Sequence, residues 1–116
     1  MYIYVKKTES TESKLKNLSE ELYSGAYASE GLTGCRFAFT LFSKGYEEEF
    51  YRINFEKSGT EIQLAFLNII FSPFSDYKFE FIRIEPAEDG EAYEREAINL
   101  WLQEHENSDL PQKVEN

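Results

Sequence analysis

The sequence predicts an α+β fold, with a four-stranded antiparallel sheet, two helices between the strands and a third helix near the C-terminal end. Two runs of alternating aromatic or β-branched residues lie within residues 35–57, and a period of two is typical of half-buried strands. Gly45 lies in the short segment between the runs, which favours an antiparallel hairpin. Apolar residues at helical spacing within residues 15–26 predict an amphipathic helix before the hairpin.

The N-terminal segment adds a strand to this prediction. In residues 2–6, two β-branched residues alternate with two tyrosines, which predicts a short strand. The polar residues 8–13 supply helix-capping side chains, so we expect the first helix to begin near them and to end at Gly25 or Gly31.

After the hairpin, the sequence predicts a helix, a strand and a final helix. A capping-box pattern at Thr60 precedes the apolar run 62–71, which predicts a helix, with a buried strand as the alternative because nearly every position is apolar. Residues 77–85 predict the last strand, and the change of parity near Ile82 indicates a bulge or a twist. The apolar stripe of residues 91–105 predicts the last helix.

The first six elements have the order of the ferredoxin-like, or split β-α-β, arrangement, in which both helices cover one face of the sheet. We expect a single domain over residues 1–106, followed by a polar tail over residues 107–116. If the last helix does not cover the second face of the sheet, its aromatic side chains form an apolar patch of the kind that marks a binding site. That face is predicted to carry Tyr2, Tyr4, Ala38, Thr40, Phe42, Phe50, Arg52 and Asn54.

Charge is the most informative property of the composition. The net charge is −10, from 22 acidic and 12 basic residues. Residues 1–46 contain five acidic and six basic residues, whereas residues 47–116 contain 17 acidic and six basic residues. Such a negative field repels phosphates and anionic membranes and attracts basic partners, although solubility alone also favours surplus carboxylates.

Other features of the sequence predict a cytoplasmic protein. Cys35 is the one cysteine, so no internal disulfide forms and a reducing compartment is expected. The N-terminal residues lack the pattern of a secretion signal, and the longest apolar run is too short to span a bilayer. We therefore expect no membrane association.

Acidic residues in the second half of the chain are the candidate partner-binding residues. They form one cluster at the predicted hairpin tip and a second around the start of the last helix, and nearby tyrosines would supply apolar anchors. The predicted contact residues are Glu47, Glu48, Glu49, Glu85, Glu88, Asp89, Glu91, Glu94, Tyr46, Tyr77 and Tyr93.

The sequence predicts neither a catalytic site nor a cofactor. His105 is the one histidine, and a single histidine with a single cysteine makes no recognisable nucleophile–base motif. No glycine-rich phosphate loop, zinc-type Cys/His set or calcium loop is present, so no metal is expected.

Two short segments resemble fragments of the motifs of RNA-recognition domains, in which strand aromatics stack on bases. These are residues 37–39 with Phe42, and residues 3–5. The order of the two motifs differs from that of the family, and a negative chain lacks the attraction for phosphates that dominates nucleic-acid affinity. We therefore interpret these residues as ordinary strand residues whose side chains contribute to a hydrophobic core, and we predict no direct nucleic-acid binding.

The leading hypothesis is a non-enzymatic inhibitor, such as an immunity protein, an antitoxin or a phage-type inhibitor. It would neutralise a basic protein, such as a nuclease toxin or another nucleic-acid enzyme, through a carboxylate-rich surface. One alternative is a small ferredoxin-like enzyme or ligand-binding domain that uses Tyr2, Tyr4 and Arg52. Another is an assembly subunit, and the chain is expected to be a monomer or a homodimer.

Overall fold

The chain folds as α+β, with a four-stranded antiparallel sheet and three α-helices, as predicted. The computed structural model describes residues 1–32, 35–44, 48–55, 59–71, 77–87 and 92–104. In chain order the elements are β1 (Tyr2–Lys6), α1 (Thr11–Ser24), a short 3₁₀-helix (Ala28–Glu30), β2 (Phe37–Lys44), β3 (Glu48–Phe55), α2 (Thr60–Phe71), β4 (Phe81–Glu85) and α3 (Ala92–Glu104). The apolar run 62–71 is therefore helical, as predicted.

The strand order is β2-β3-β1-β4, and every neighbouring pair is antiparallel. In the middle of the sheet, Tyr4 of β1 lies between Arg52 of β3 and Arg83 of β4, while Arg52 also pairs with Thr40 of β2. Because side chains directly opposite each other in an antiparallel ladder point to the same face, these four side chains share one face.

The predicted irregularity in the last strand is confirmed. Tyr4 pairs with Arg83 and the next residue of β1 pairs with Phe81, so Ile82 is the extra residue of a bulge. β4 is shorter than the predicted strand 77–85, because Lys78 has a left-handed backbone with a φ of 51° that interrupts extended structure.

Each of the two glycines predicted to end the first helical segment follows the end of a helix. α1 ends before Gly25, whose φ of 90° lets its N–H reach the carbonyls of Glu21 and Leu22, and Gly31 ends the 3₁₀-helix with a φ of 85°. Side chains with a Cβ rarely adopt such angles, so glycine suits both ends.

The hydrophobic core lies on one side of the sheet. It joins the buried strand residues Ile3 and Ile53 to the apolar faces of α1 and α2. α3 packs on this same side, because the ring of Trp101 lies 5.5 Å from Phe71 of α2 and 5.8 Å from Phe81 of β4. Among the described residues, no helix has the length and hydropathy needed to cross a bilayer.

Candidate functional site: the open face of the sheet

The second face of the sheet, called here the open face, is left uncovered by the described helices. Ala38, Thr40 and Arg83 are exposed on it, and the aromatic residues beside them are half-buried or lie beneath their neighbours. Strand pairing places twelve described side chains on this face: Tyr2, Tyr4, Lys6, Ala38, Thr40, Phe42, Glu48, Phe50, Arg52, Asn54, Arg83 and Glu85.

Arg52 is held between two rings near the centre of the open face. Its guanidinium carbon lies 4.5 Å from the centre of the Tyr2 ring and 4.8 Å from that of Phe42. Phe42 in turn stacks on Phe50, with ring planes 8° apart. A cation held over ring faces gains electrostatic attraction and loses rotamer freedom, so this arginine presents its donors in a fixed geometry.

Tyr4 occupies the row next to Arg52 and is only 7% exposed. The guanidinium of Arg83 covers its ring at 4.3 Å, and the Phe50 ring lies 5.7 Å away. Its hydroxyl donates a hydrogen bond of 2.7 Å to Glu85. Burial first, and then the hydrogen bond to the carboxylate, raise the pKa of Tyr4 above its ordinary value.

A cleft of about 500 Å³ lies at one end of the open face, beside the bulge of β4. Tyr4, Phe50 and Ile82 form the apolar part of its lining. The charged part of the lining comes from Lys6, Lys7, Glu48, Glu49 and Arg83. Such a volume is within the range of about 300–1,000 Å³ that is typical of ligand pockets.

Within this cleft, Lys7 and Glu49 form an ion pair. Lys7 Nζ lies 2.8 Å from Glu49 Oε2, and the carboxylate raises the pKa of Lys7. The backbone N–H of Lys7 also donates to the Glu49 carbonyl at 3.2 Å. The pair therefore fixes the end of β1 against the start of β3.

Glu94, one of the predicted contact residues, is used inside the fold instead. Its side chain is buried, forms a salt bridge with the Met1 ammonium and accepts a hydrogen bond of 3.1 Å from the Ala87 N–H. Its position explains this, because it lies three, four and seven residues before Ala97, Ile98 and Trp101 on the buried stripe of α3.

Tyr77 is also buried rather than exposed for a partner. Its hydroxyl donates to Oε2 of Glu21 on α1, and Tyr27 donates to the same oxygen at 3.0 Å. Burial, and then the hydrogen bond to Glu21, raise the pKa of Tyr77 well above its ordinary value. The tyrosine therefore ties the segment before β4 to α1.

Three of the predicted acidic residues border the open face. Glu48 and Glu49 line the cleft, and Glu85 lies at the opposite end of the strands, where it pairs with Tyr2 in the ladder. Tyr93 lies in α3. The remaining predicted contact residues fall outside the described residues: Tyr46, Glu47, Glu88, Asp89 and Glu91.

Sequence reasoning placed most of the open face but missed part of the cleft. Lys6 follows from the parity of β1, and Arg83 follows once β4 is known to pair with β1. The bulge places Ile82 in the cleft lining. The sequence indicated an irregularity near Ile82 but did not show that this side chain would face a cleft. In the part of the chain that the structure describes, no group of three or more metal-ligating side chains is placed to hold a metal ion.

Comparison of the chain with protein-family models, with curated proteins and with solved structures finds no significant match. The function must therefore be inferred from the open face itself.

Proposed function

We propose that this protein is a small acidic inhibitor that neutralises a basic protein by placing its open face against that partner. The observation that supports this proposal is the group of rings and guanidiniums around Arg52, on a face that the described helices leave uncovered, with Tyr4 lying beneath Arg83. Tyrosine, phenylalanine and arginine are enriched at protein interfaces, and tyrosine and arginine dominate their binding energy. This surface differs from the purely carboxylate-rich one expected from the sequence.

The shape of the site favours a protein partner over a small molecule for most of the open face. Four strands present side chains from one end of the sheet to the other, from Glu85 beside Tyr2 to Glu48 beside the cleft. Small ligands need concave pockets, whereas a broad surface with a central ring cluster and a charged rim is typical of protein interfaces.

The open face itself carries the cations Lys6, Arg52 and Arg83, so the class of partner is proposed from the net charge of −10 of the whole chain and not from the charge of this face. A negative field accelerates association with a basic protein, to about 10⁸ M⁻¹s⁻¹ at low salt in favourable cases. Nucleic-acid enzymes present positive clefts to their substrates, and a small acidic body that occupies such a cleft blocks the substrate. We therefore propose a nuclease or another nucleic-acid-acting protein as the partner.

The proposal includes a fold assignment and a compartment. The β-α-β-β-α-β order of the first six elements and the strand order β2-β3-β1-β4 support a ferredoxin-like arrangement with α3 added. Cys35 is buried, which suits a reducing compartment, and we propose the cytoplasm.

The experiment compares two pairs of substitutions of the same chemistry. In one variant, Tyr2 and Arg52 on the open face are both changed to alanine. In the control, Tyr23 and Arg36 are both changed to alanine; these form a similar ring–guanidinium pair at 4.4 Å, and Tyr23 is 61% exposed outside the open face.

Each protein is used to capture partners from the native cell, with elution by a salt gradient and a nuclease assay of the captured protein. We expect the wild type and the control to retain and inhibit the same basic protein, and the open-face variant to lose it. A basic protein that is retained equally by the open-face variant would contradict the proposal. Sedimentation of the purified chain tests the alternative that the open face joins two copies.

A further inference from the structure

The cleft beside the β4 bulge has a composition that the proposed inhibitor function does not use. The chain as a whole has 12 basic and 22 acidic residues, but the cleft lining has three basic residues and two acidic ones. Glu49 is already paired with Lys7. The remaining charged residues of the lining are Lys6, Arg83 and Glu48, and Arg83 also lies 4.0 Å from the carboxylate of Glu85, which is outside the lining.

The apolar part of the lining consists of two rings and one branched side chain. The Tyr4 and Phe50 rings lie 5.7 Å apart, and Ile82 is 39% exposed beside them. The bulge turns Ile82 into the cleft together with Arg83, and bulges next to binding sites re-aim side chains in this way. A flat ring would contact mainly Phe50 and Ile82, because Tyr4 is only 7% exposed, while an anionic group reaches Lys6 and Arg83.

We propose that the cleft binds a small planar anion: an aromatic ring that carries a phosphate or a carboxylate group. This site goes beyond the proposed inhibitor function, because it binds a small molecule on the isolated protein. Since the cleft opens at one end of the open face, the ligand would also compete with a protein partner that covers that end.

The negative net charge does not prevent this binding. The Debye length is about 8 Å at physiological ionic strength, so carboxylates on distant parts of the surface are largely screened. Lys6 and Arg83 line the cleft itself, where a bound anion would contact them directly. Affinity should weaken as salt rises, because both cations are at the surface.

The experiment is an NMR titration of the isotope-labelled full chain with four probes. Adenosine 5′-monophosphate and 4-hydroxybenzoate each combine a ring with an anionic group, one as a phosphate and the other as a carboxylate. Adenosine supplies a ring alone, and inorganic phosphate supplies an anion alone. We expect saturable shifts at Tyr4, Phe50 and Ile82, with a dissociation constant of about 1 mM or tighter for at least one ring anion, and about tenfold weaker binding of the two partial probes.

Matched charge variants test the site. Lys6→Gln and Arg83→Gln should each weaken binding of the ring anion by about tenfold. Lys14→Gln removes the same charge from a half-buried position on α1, outside the cleft lining, and should leave the affinity unchanged. The proposal is overturned if no ring anion gives saturable shifts at up to about 10 mM, if phosphate alone binds as tightly, or if Lys14→Gln weakens binding as much as Lys6→Gln. These outcomes do not involve the protein partner, so they leave the inhibitor proposal to its own experiment.

Discussion

The guanidinium of Arg52 lies 4.5 Å from the centre of the Tyr2 ring, on the face of the sheet opposite the hydrophobic core. The two residues come from the adjacent strands β3 and β1, and the ring of Phe42 on β2 lies on the guanidinium as well. Three strands thus contribute to one cluster that α3 leaves open. This arrangement depends on where α3 packs, and the first prediction tests that position.

Trp101 reports the position of α3, since it is the one tryptophan in the chain and is fully buried. We expect blue-shifted fluorescence that iodide does not quench. Trp101→Ala should lower the free energy of unfolding by about 3–5 kcal/mol, because it leaves a large cavity against Phe71 and Phe81. Leu100→Ala, at an exposed position of the same helix, is the control and should cost about 1 kcal/mol or less. Red-shifted, readily quenched emission would place the helix elsewhere and remove the basis for an open face.

Glu94 should be a stability residue and not a contact residue. Glu94→Gln removes the negative charge that is paired with the buried Met1 ammonium, so we expect a loss of about 2–4 kcal/mol in the free energy of unfolding. Glu96→Gln changes an exposed carboxylate two residues along the same helix and should have an effect below about 0.5 kcal/mol. Denaturant unfolding of both variants provides the measurement. Equal stability of the two variants would show that the Glu94 carboxylate contributes nothing to the fold.

Tyr77 should make stability fall at alkaline pH. Its folded pKa is raised above the unfolded value of about 10, so above that pH the unfolded chain loses a proton that the folded chain keeps. The stabilising contribution is complete below about pH 10 and is lost as pH rises toward the folded pKa, by at most about 1.4 kcal/mol per pH unit.

Denaturant unfolding at several pH values between about 8 and 11 tests this expectation. Tyr77→Phe should cost about 1 kcal/mol at neutral pH, where it removes the hydrogen bond to Glu21, and should flatten the alkaline decline. Tyr23→Phe changes an exposed tyrosine and is the matched control. An alkaline decline that is just as steep in Tyr77→Phe would assign the effect to other groups.

Much of the fold could be predicted from the sequence because its signals are local. Alternation within β1 and β3 assigned Tyr2, Tyr4 and Arg52 to one face, and the change of parity indicated the bulge at Ile82. The position of α3 could not be predicted, because its apolar stripe fits either face of the sheet. Only the contact between Trp101 and the side chains of α2 and β4 decides between them.

The candidate site was harder to predict, because a carboxylate in the sequence does not reveal its partner. Glu94 was grouped with its acidic neighbours, although its spacing to Trp101 places it on the buried stripe of α3. Its ammonium partner is at the far end of the sequence, so no local pattern could reveal the pair. Arg83 was overlooked for a similar reason, since its contact with Tyr4 requires the pairing of β1 with β4.

The last prediction separates the contributions of charge and of the open face to partner binding. Once a partner has been identified, changing Glu88 and Glu91 to Gln and Asp89 to Asn should slow association at low salt and flatten its salt dependence, because steering acts on the approach of the two proteins. Glu94 is left intact in this variant, because its loss would destabilise the fold.

The control variant removes the same charge from three exposed carboxylates on separate helices, by changing Glu20, Glu61 and Glu104 to Gln. If the position of the carboxylates determines steering, the control variant keeps most of the wild-type association rate. An equal loss in both variants would mean that association depends on the net charge of the chain alone. The Tyr2 and Arg52 double alanine variant should instead raise the dissociation rate, since side chains packed in an interface act after the encounter. A double variant with a normal dissociation rate and a slow association rate would place the contact outside the open face.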